Sequence, residues 1–94
     1  MPAPKLSTSD IAERMKTLDG WTLTDNKIAR TVRCDSFNAA IALINRIAPL
    51  ADDADHHPEI FNVYDRVELV LTTHDRCGLT EKDFSLAAQI NGVI

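Results

Sequence analysis

The chain has little of what several common protein classes require. It holds only two cysteines in 94 residues, too few for the disulfide framework of a small secreted domain. Cys34 and Cys77 do not form a CxxC metal knuckle either, so they read as free thiols in a reducing compartment. The three glycines are scattered and make no Gly-rich dinucleotide loop. No apolar run approaches the roughly 20 residues that a bilayer-spanning helix needs. The opening Met1-Pro2-Ala3-Pro4-Lys5 lacks the apolar core of a secretion signal, and a cytoplasmic protein with no membrane partner is the expectation. Basic residues are the minority, 10 Lys and Arg against 14 Asp and Glu, for a net charge of -4. That balance argues against direct nucleic-acid binding, which needs a basic face.

What is present fits one small domain over residues 1–94, with 1–6 expected as a flexible tail. A chain this short buries only about 60–65% of the surface its unfolded form exposes. Its core is thin, and self-association is a common remedy.

Histidine is concentrated. His56-His57-Pro58 and His74 are the three histidines of the chain, and Asp52, Asp53, Asp55, Glu59 and Asp75 crowd the same stretch, with Asp83 beyond. Imidazole titrates near pH ~6.5, so it gives or takes a proton close to neutrality. This is the composition of a proton-transfer site or of a metal site. Three histidines and a carboxylate would satisfy the four-coordinate preference of zinc. Against that, adjacent helical residues project about 100° apart, which makes joint chelation by His56 and His57 awkward. Spaced ligand motifs such as HExxH are absent.

The apolar pattern gives the elements. Ser7 or Ser9 caps a first helix over about 9–18, with Ile11, Met15 and Leu18 as its stripe and Gly20 at its end. Trp21–Thr24 and Lys27–Arg33 read as a hairpin turning at Asp25-Asn26. Asp35 or Ser36 caps a second helix whose apolar residues wrap most of its circumference, so it wants two partners: the sheet, and the same helix of another subunit. Pro49 inside it should bend or loosen the last turn, and Asp52–Pro58 should end it. Ile60–Tyr64 is a short strand, Asp65-Arg66 a turn, and Val67–His74 the clearest strand, placing His74 on one face with Glu68, Val70 and Thr72. Thr80 and Asp83 form a capping box for a last helix, whose buried stripe is Phe84, Ala87 and Ala88, with Ile90 beside it. The order α-β-β-α-β-β-α predicts an α+β fold: a four-stranded antiparallel sheet covered on one face by helices.

The segment Asp52, His56-His57-Pro58, Tyr64, His74 and Asp83 resembles the signature of the pterin-4a-carbinolamine dehydratases, also called 4a-hydroxytetrahydrobiopterin dehydratases. The flanking Pro58-Glu59-Ile60-Phe61-Asn62-Val63-Tyr64, Thr72-Thr73-His74 and Gly78-Leu79-Thr80 fit as well. The chain departs from the usual text at Ile60, where an aromatic is frequent, at Pro49, and at Arg76-Cys77.

The resemblance implies a lyase that expels the 4a-hydroxyl of a tetrahydropterin as water by histidine acid/base catalysis. The pterin is the substrate, and no further cofactor or metal is implied. It implies His56 and His74 as the acid/base pair, with His57 contacting substrate and supporting its charge. Asp55, Thr72, Thr73 and Asp75 would line the pocket. Asp52, one helical turn before His56, would fix that imidazole's tautomer, and Asp83 would orient His74 or touch substrate. It also implies a homotetramer or homodimer built through joined sheets and packed second helices. Some relatives of the family act as dimerisation cofactors of a transcription factor, and molybdopterin-related chemistry is a third possibility.

Each residue also has a plainer reading. The helix macrodipole alone favours histidine at a helix C-terminus. Capping alone explains Asp83, and the acidic run at 52–55 suits a solvated turn. Trp21 and Tyr64 suit core or pocket wall.

Overall fold

The computed structural model describes residues 4–94. Its elements follow the order α-β-β-α-β-β-α, and the four strands make one antiparallel sheet. The fold class is the one the apolar pattern predicts.

Helix α1 spans Thr8–Met15. Ser7 is its cap, its Oγ accepting the Asp10 N–H at 3.1 Å. The helix stops short of residue 18 because the N–H groups of Lys16, Thr17 and Leu18 turn to carbonyls three residues back. That tightening delivers Gly20 at φ 84°, where a Cβ would stand 2.5 Å from the Arg30 guanidinium, so both the backbone and the space call for glycine. Leu6 is tied to the body, its N–H donating to the Leu79 carbonyl at 2.9 Å. Residues 1–3 of the expected tail lie outside the described residues. Arg14 on α1 is hydrogen-bonded to Glu81, which raises the guanidinium above its ordinary pKa.

Strands β1 (Thr22–Thr24) and β2 (Lys27–Arg33) form the first hairpin, closed at Thr24↔Lys27 with Asp25 at φ 54°. Strands β3 (Glu59–Val63) and β4 (Arg66–Leu71) form the second. Its turn is Tyr64-Asp65, one residue earlier than expected. Val63 pairs with Arg66, and the Asn62 amide donates to the carbonyls of Tyr64 and Arg66 across the turn. The sheet order is β1-β2-β4-β3.

One face of the sheet carries the core. Ile28 and Val32 of β2 and Val67, Leu69 and Leu71 of β4 are buried. Helix α2 (Phe37–Ala54) meets them with Ala40, Leu43, Ile47 and Ala51, at helical spacings of three and four. Helix α3 (Glu81–Asn91) adds Phe84, Leu86, Ala87 and Ile90; Leu86 is buried and Ala88, expected in the stripe, is exposed. The opposite sheet face, with Phe61 and Val63, is open. Trp21 is core, and its Nε1–H donates to the Asn91 Oδ1 at 2.8 Å. The Arg30 Nη1 donates to the same oxygen at 2.7 Å, fastening the end of α3 to the sheet.

Helix α2 begins at its Ser36 cap, continues past Pro49 and ends at Ala54. Its boundary is therefore later than the Asp52 expected. The reason is Asp55, which adopts the left-handed conformation (φ 49°, ψ 44°) usually given to glycine. The His56 N–H then reaches back to the Ala51 carbonyl at 3.1 Å. No helix among the described residues is long and apolar enough to cross a membrane.

Candidate active site

The left-handed turn at Asp55 aims the next two residues at the end of the sheet. His56 turns inward, with only 11% of its side chain exposed, and His57 turns outward. Strand β4 arrives at the same end. Its last rungs are Leu71 opposite Ile28 and Val70 opposite Glu59. Beyond them β2 turns away into β1, and β3 begins after Pro58, which has no N–H to offer. Thr72 and Thr73 therefore leave the ladder.

The expected strand through His74 ends at Leu71. Thr73 instead pairs with Gly78 through two backbone hydrogen bonds (3.0 and 3.4 Å), and the loop between them forms a 3₁₀ turn over His74–Arg76. His74 is exposed in that turn, not on the sheet face with Glu68, Val70 and Thr72. The Thr72 hydroxyl donates to the Asn26 carbonyl at 2.6 Å, which ties this loop to the first hairpin.

A cleft of about 370 Å³ forms where the two segments meet. Asp55, His56, His57, Thr72, Thr73, His74 and Asp75 line it. All three histidines thus face one space, although His74 comes from the sheet end and the other two from the helix end. A slightly larger recess, about 420 Å³, lies by Thr24, Asp25, Lys27 and Val70. It holds no histidine, so the smaller cleft is the better candidate for chemistry near neutral pH.

The carboxylates pair differently from the sequence expectation. Asp52 does not hold His56; its Oδ1 lies 2.9 Å from the His57 Nε2, with both side chains well exposed, 77% and 59%. Asp83 does not hold His74. It is wholly buried, and its Oδ1 lies 2.5 Å from the His56 Nε2. Its Oδ2 accepts the Thr73 hydroxyl at 2.8 Å and the Thr80 N–H at 2.9 Å. The capping box read from Thr80 and Asp83 exists, and the same carboxylate also supports a cleft histidine. Thr80 belongs to this network through a 2.8 Å contact with the Thr73 hydroxyl. The sequence signal for it was the Thr-x-x-Asp spacing, which by itself reports only a helix start.

Tyr64 lies at the β3–β4 turn, 67% exposed, at the Arg66 end of β4; the cleft is at the Leu71 end. It is neither core nor pocket wall. Among the described residues no group of three or more His, Cys, Asp or Glu side chains is placed to hold a metal ion. The Nε2 atoms of His56 and His57 are engaged by separate carboxylates.

A model of the pterin 4 alpha carbinolamine dehydratase family matches residues 4–93. A protein of Chloroflexus aurantiacus, named by inference as a pterin-4-alpha-carbinolamine dehydratase, is 50% identical over 91 residues, covering 97% of this chain and 98% of its own. A Sulfolobus acidocaldarius protein named in the same way is 39% identical over 89 residues, covering 95% and 98%. The crystal structure of a transcriptional coactivator/pterin dehydratase from Brucella melitensis superposes with a TM-score of 0.90 at 36% identity, covering 95% of this chain and 97% of that one. A pterin dehydratase-like RuBisCO assembly factor of the alpha-carboxysome shares the fold, with a TM-score of 0.65 at 18% identity over 78% of this chain and 84% of that one.

Proposed function

The chain belongs to the pterin-4-alpha-carbinolamine dehydratase family, and on that premise we propose that it dehydrates 4a-hydroxytetrahydrobiopterin or a close analogue in tetrahydropterin recycling. The observation that carries this reading is the single cleft shared by His56, His57 and His74. In the reaction the bond from carbon 4a to its hydroxyl breaks, and a ring nitrogen loses a proton. Water leaves and the quinonoid dihydropterin remains. No electrons pass to or from an outside acceptor, so two positioned acid/base groups suffice. Such transfers contribute typically 10²–10⁴-fold in rate.

His56 and His74, from two different segments that line the cleft, take the acid and base roles. His57, whose outward ring is backed by Asp52, contacts the substrate and balances its charge. Past the last rung of β4 the backbone of Thr72 is open to the polar edge of the pterin, whereas both backbone groups of Thr73 are already bonded to Gly78. The test is a stopped-flow assay on freshly generated 4a-hydroxytetrahydropterin. Purified protein should speed formation of the quinonoid product above the buffer rate. An unchanged rate would refute the activity.

A protein-binding role is the second reading. Helix α2 leaves Phe37 (49%) and Ile41 (36%) exposed on the side away from the sheet. That uncovered apolar side suits self-association into a dimer or tetramer, or docking of another protein. A structural relative carrying the name transcriptional coactivator/pterin dehydratase supports this reading.

A further inference from the structure

The hydrogen bonds behind His56 run in one direction, and the direction follows from counting protons. Asp83 is wholly buried and, as a carboxylate, only accepts. The single hydroxyl proton of Thr73 goes to its Oδ2 at 2.8 Å. At the 2.8 Å contact between the two hydroxyls, Thr73 must therefore accept and Thr80 must donate. The Thr80 oxygen in turn accepts the Lys82 N–H at 3.3 Å. The order is Lys82 N–H to Thr80, Thr80 to Thr73, Thr73 to Asp83. The remaining oxygen of Asp83 faces the His56 Nε2 at 2.5 Å, which requires the proton on that nitrogen. The other ring nitrogen, Nδ1, has no partner among the described residues and is not sealed in the interior, and His56 lines the cleft.

We propose that Thr80 is a positioning residue: through Thr73 and Asp83 it holds His56 as the Nε2–H tautomer and leaves Nδ1 as the nitrogen that exchanges a proton with the ligand. Thr80 does not line the cleft, so it acts only through this chain. Without its donated hydrogen bond, Thr73 is free to rotate, and Asp83 loses one of the contacts that fix its plane against the imidazole. The N-terminus of α3 thus serves two purposes with one pair of residues, starting a helix and setting a histidine's proton. The ligand part of the proposal rests on the dehydratase reading; the tautomer part does not.

The experiment is nitrogen-15 NMR of the histidine rings in the ligand-free protein, taken upward in pH until the two His56 nitrogens report a neutral ring. Turnover of 4a-hydroxytetrahydropterin is measured beside it. Wild type and Thr80→Ser should show His56 as the Nε2–H tautomer with equal kcat. Thr80→Val and Thr73→Val should show a mixture of tautomers. Their kcat should fall about tenfold, and for Thr80→Val KM should stay within about twofold, as expected for a group that orients a catalytic side chain without touching substrate. Thr73→Val spares the helix cap, so the two variants separate a capping defect from a positioning defect. An Nδ1–H tautomer in the wild type would overturn the proposal. So would valine variants that lose stability but keep both the wild-type tautomer and kcat. A wild type inactive on the pterin would overturn the dehydratase reading alone, and the spectra would still decide the tautomer.

Discussion

The His56 Nε2 lies 2.5 Å from the Oδ1 of Asp83, a carboxylate with no solvent exposure. A buried carboxylate persists only when its oxygens are occupied, and here they meet an imidazole, a hydroxyl and a backbone N–H. Asp83→Asn keeps the shape but turns one acceptor into a donor, facing groups that already donate. It should cost about 1–3 kcal/mol of stability and lower turnover by about 100-fold or more. Urea unfolding and the pterin assay on the same preparation measure both. An Asp83→Asn protein as stable and as active as wild type would refute the role.

His57 and Asp52 form the contrasting pair. Their 2.9 Å contact is exposed on both sides, and exposed ion pairs contribute about 0–1 kcal/mol. His57→Ala should leave the urea midpoint almost unmoved while raising KM for the pterin. A large stability loss would show that this pair does more than line the cleft.

The Asn91 side-chain Oδ1 accepts from both Trp21 and Arg30. Trp21→Phe removes one donor and keeps most of the ring, so it should cost about 1 kcal/mol. Asn91→Leu leaves the Trp21 N–H unmatched, takes one of two acceptors from the Arg30 Nη1 and removes the amide's own bond to the Asp19 carbonyl, so it should cost more than Trp21→Phe. Chemical denaturation of the two variants tests the order. The reverse order would contradict the fastening of α3 through Asn91.

Much of this fold was legible because it is local. Caps at Ser7, Ser36 and Thr80 announce helix starts, and the alternation Val67, Leu69, Leu71 announces a half-buried strand. Ends were less legible, because they depend on neighbours. Leu71 ends β4 where its partners β2 and β3 run out, a fact of pairing that residues 72–74 do not carry. Asp55 ends α2 in a conformation that sequence reading reserves for glycine or asparagine. That late ending also misassigned Asp52. A residue one helical turn before His56 is placed to meet it only if the helix continues, whereas the chain turns at Asp55 and His57 swings back instead. The His56–Asp83 pair joins residues 27 apart in the chain, and only the tertiary fold reveals it.

Helix α2 has a buried side and an exposed apolar side. Leu43→Ala empties a buried position and should cost about 2–5 kcal/mol. Ile41→Glu, on the exposed side, should leave the unfolding midpoint of the isolated subunit near its wild-type value but shift the mass seen by light scattering toward monomer. An Ile41→Glu protein with an unchanged oligomer would show that this side of α2 is not the contact.

The most direct measurement compares His56→Ala, His74→Ala and the double variant with wild type on 4a-hydroxytetrahydropterin. Each single variant should lose about 100-fold or more in kcat, and the double variant little further, since the acid and the base act together in one dehydration step. Folded single variants that both turn over at the wild-type rate would contradict acid/base catalysis by these two cleft histidines.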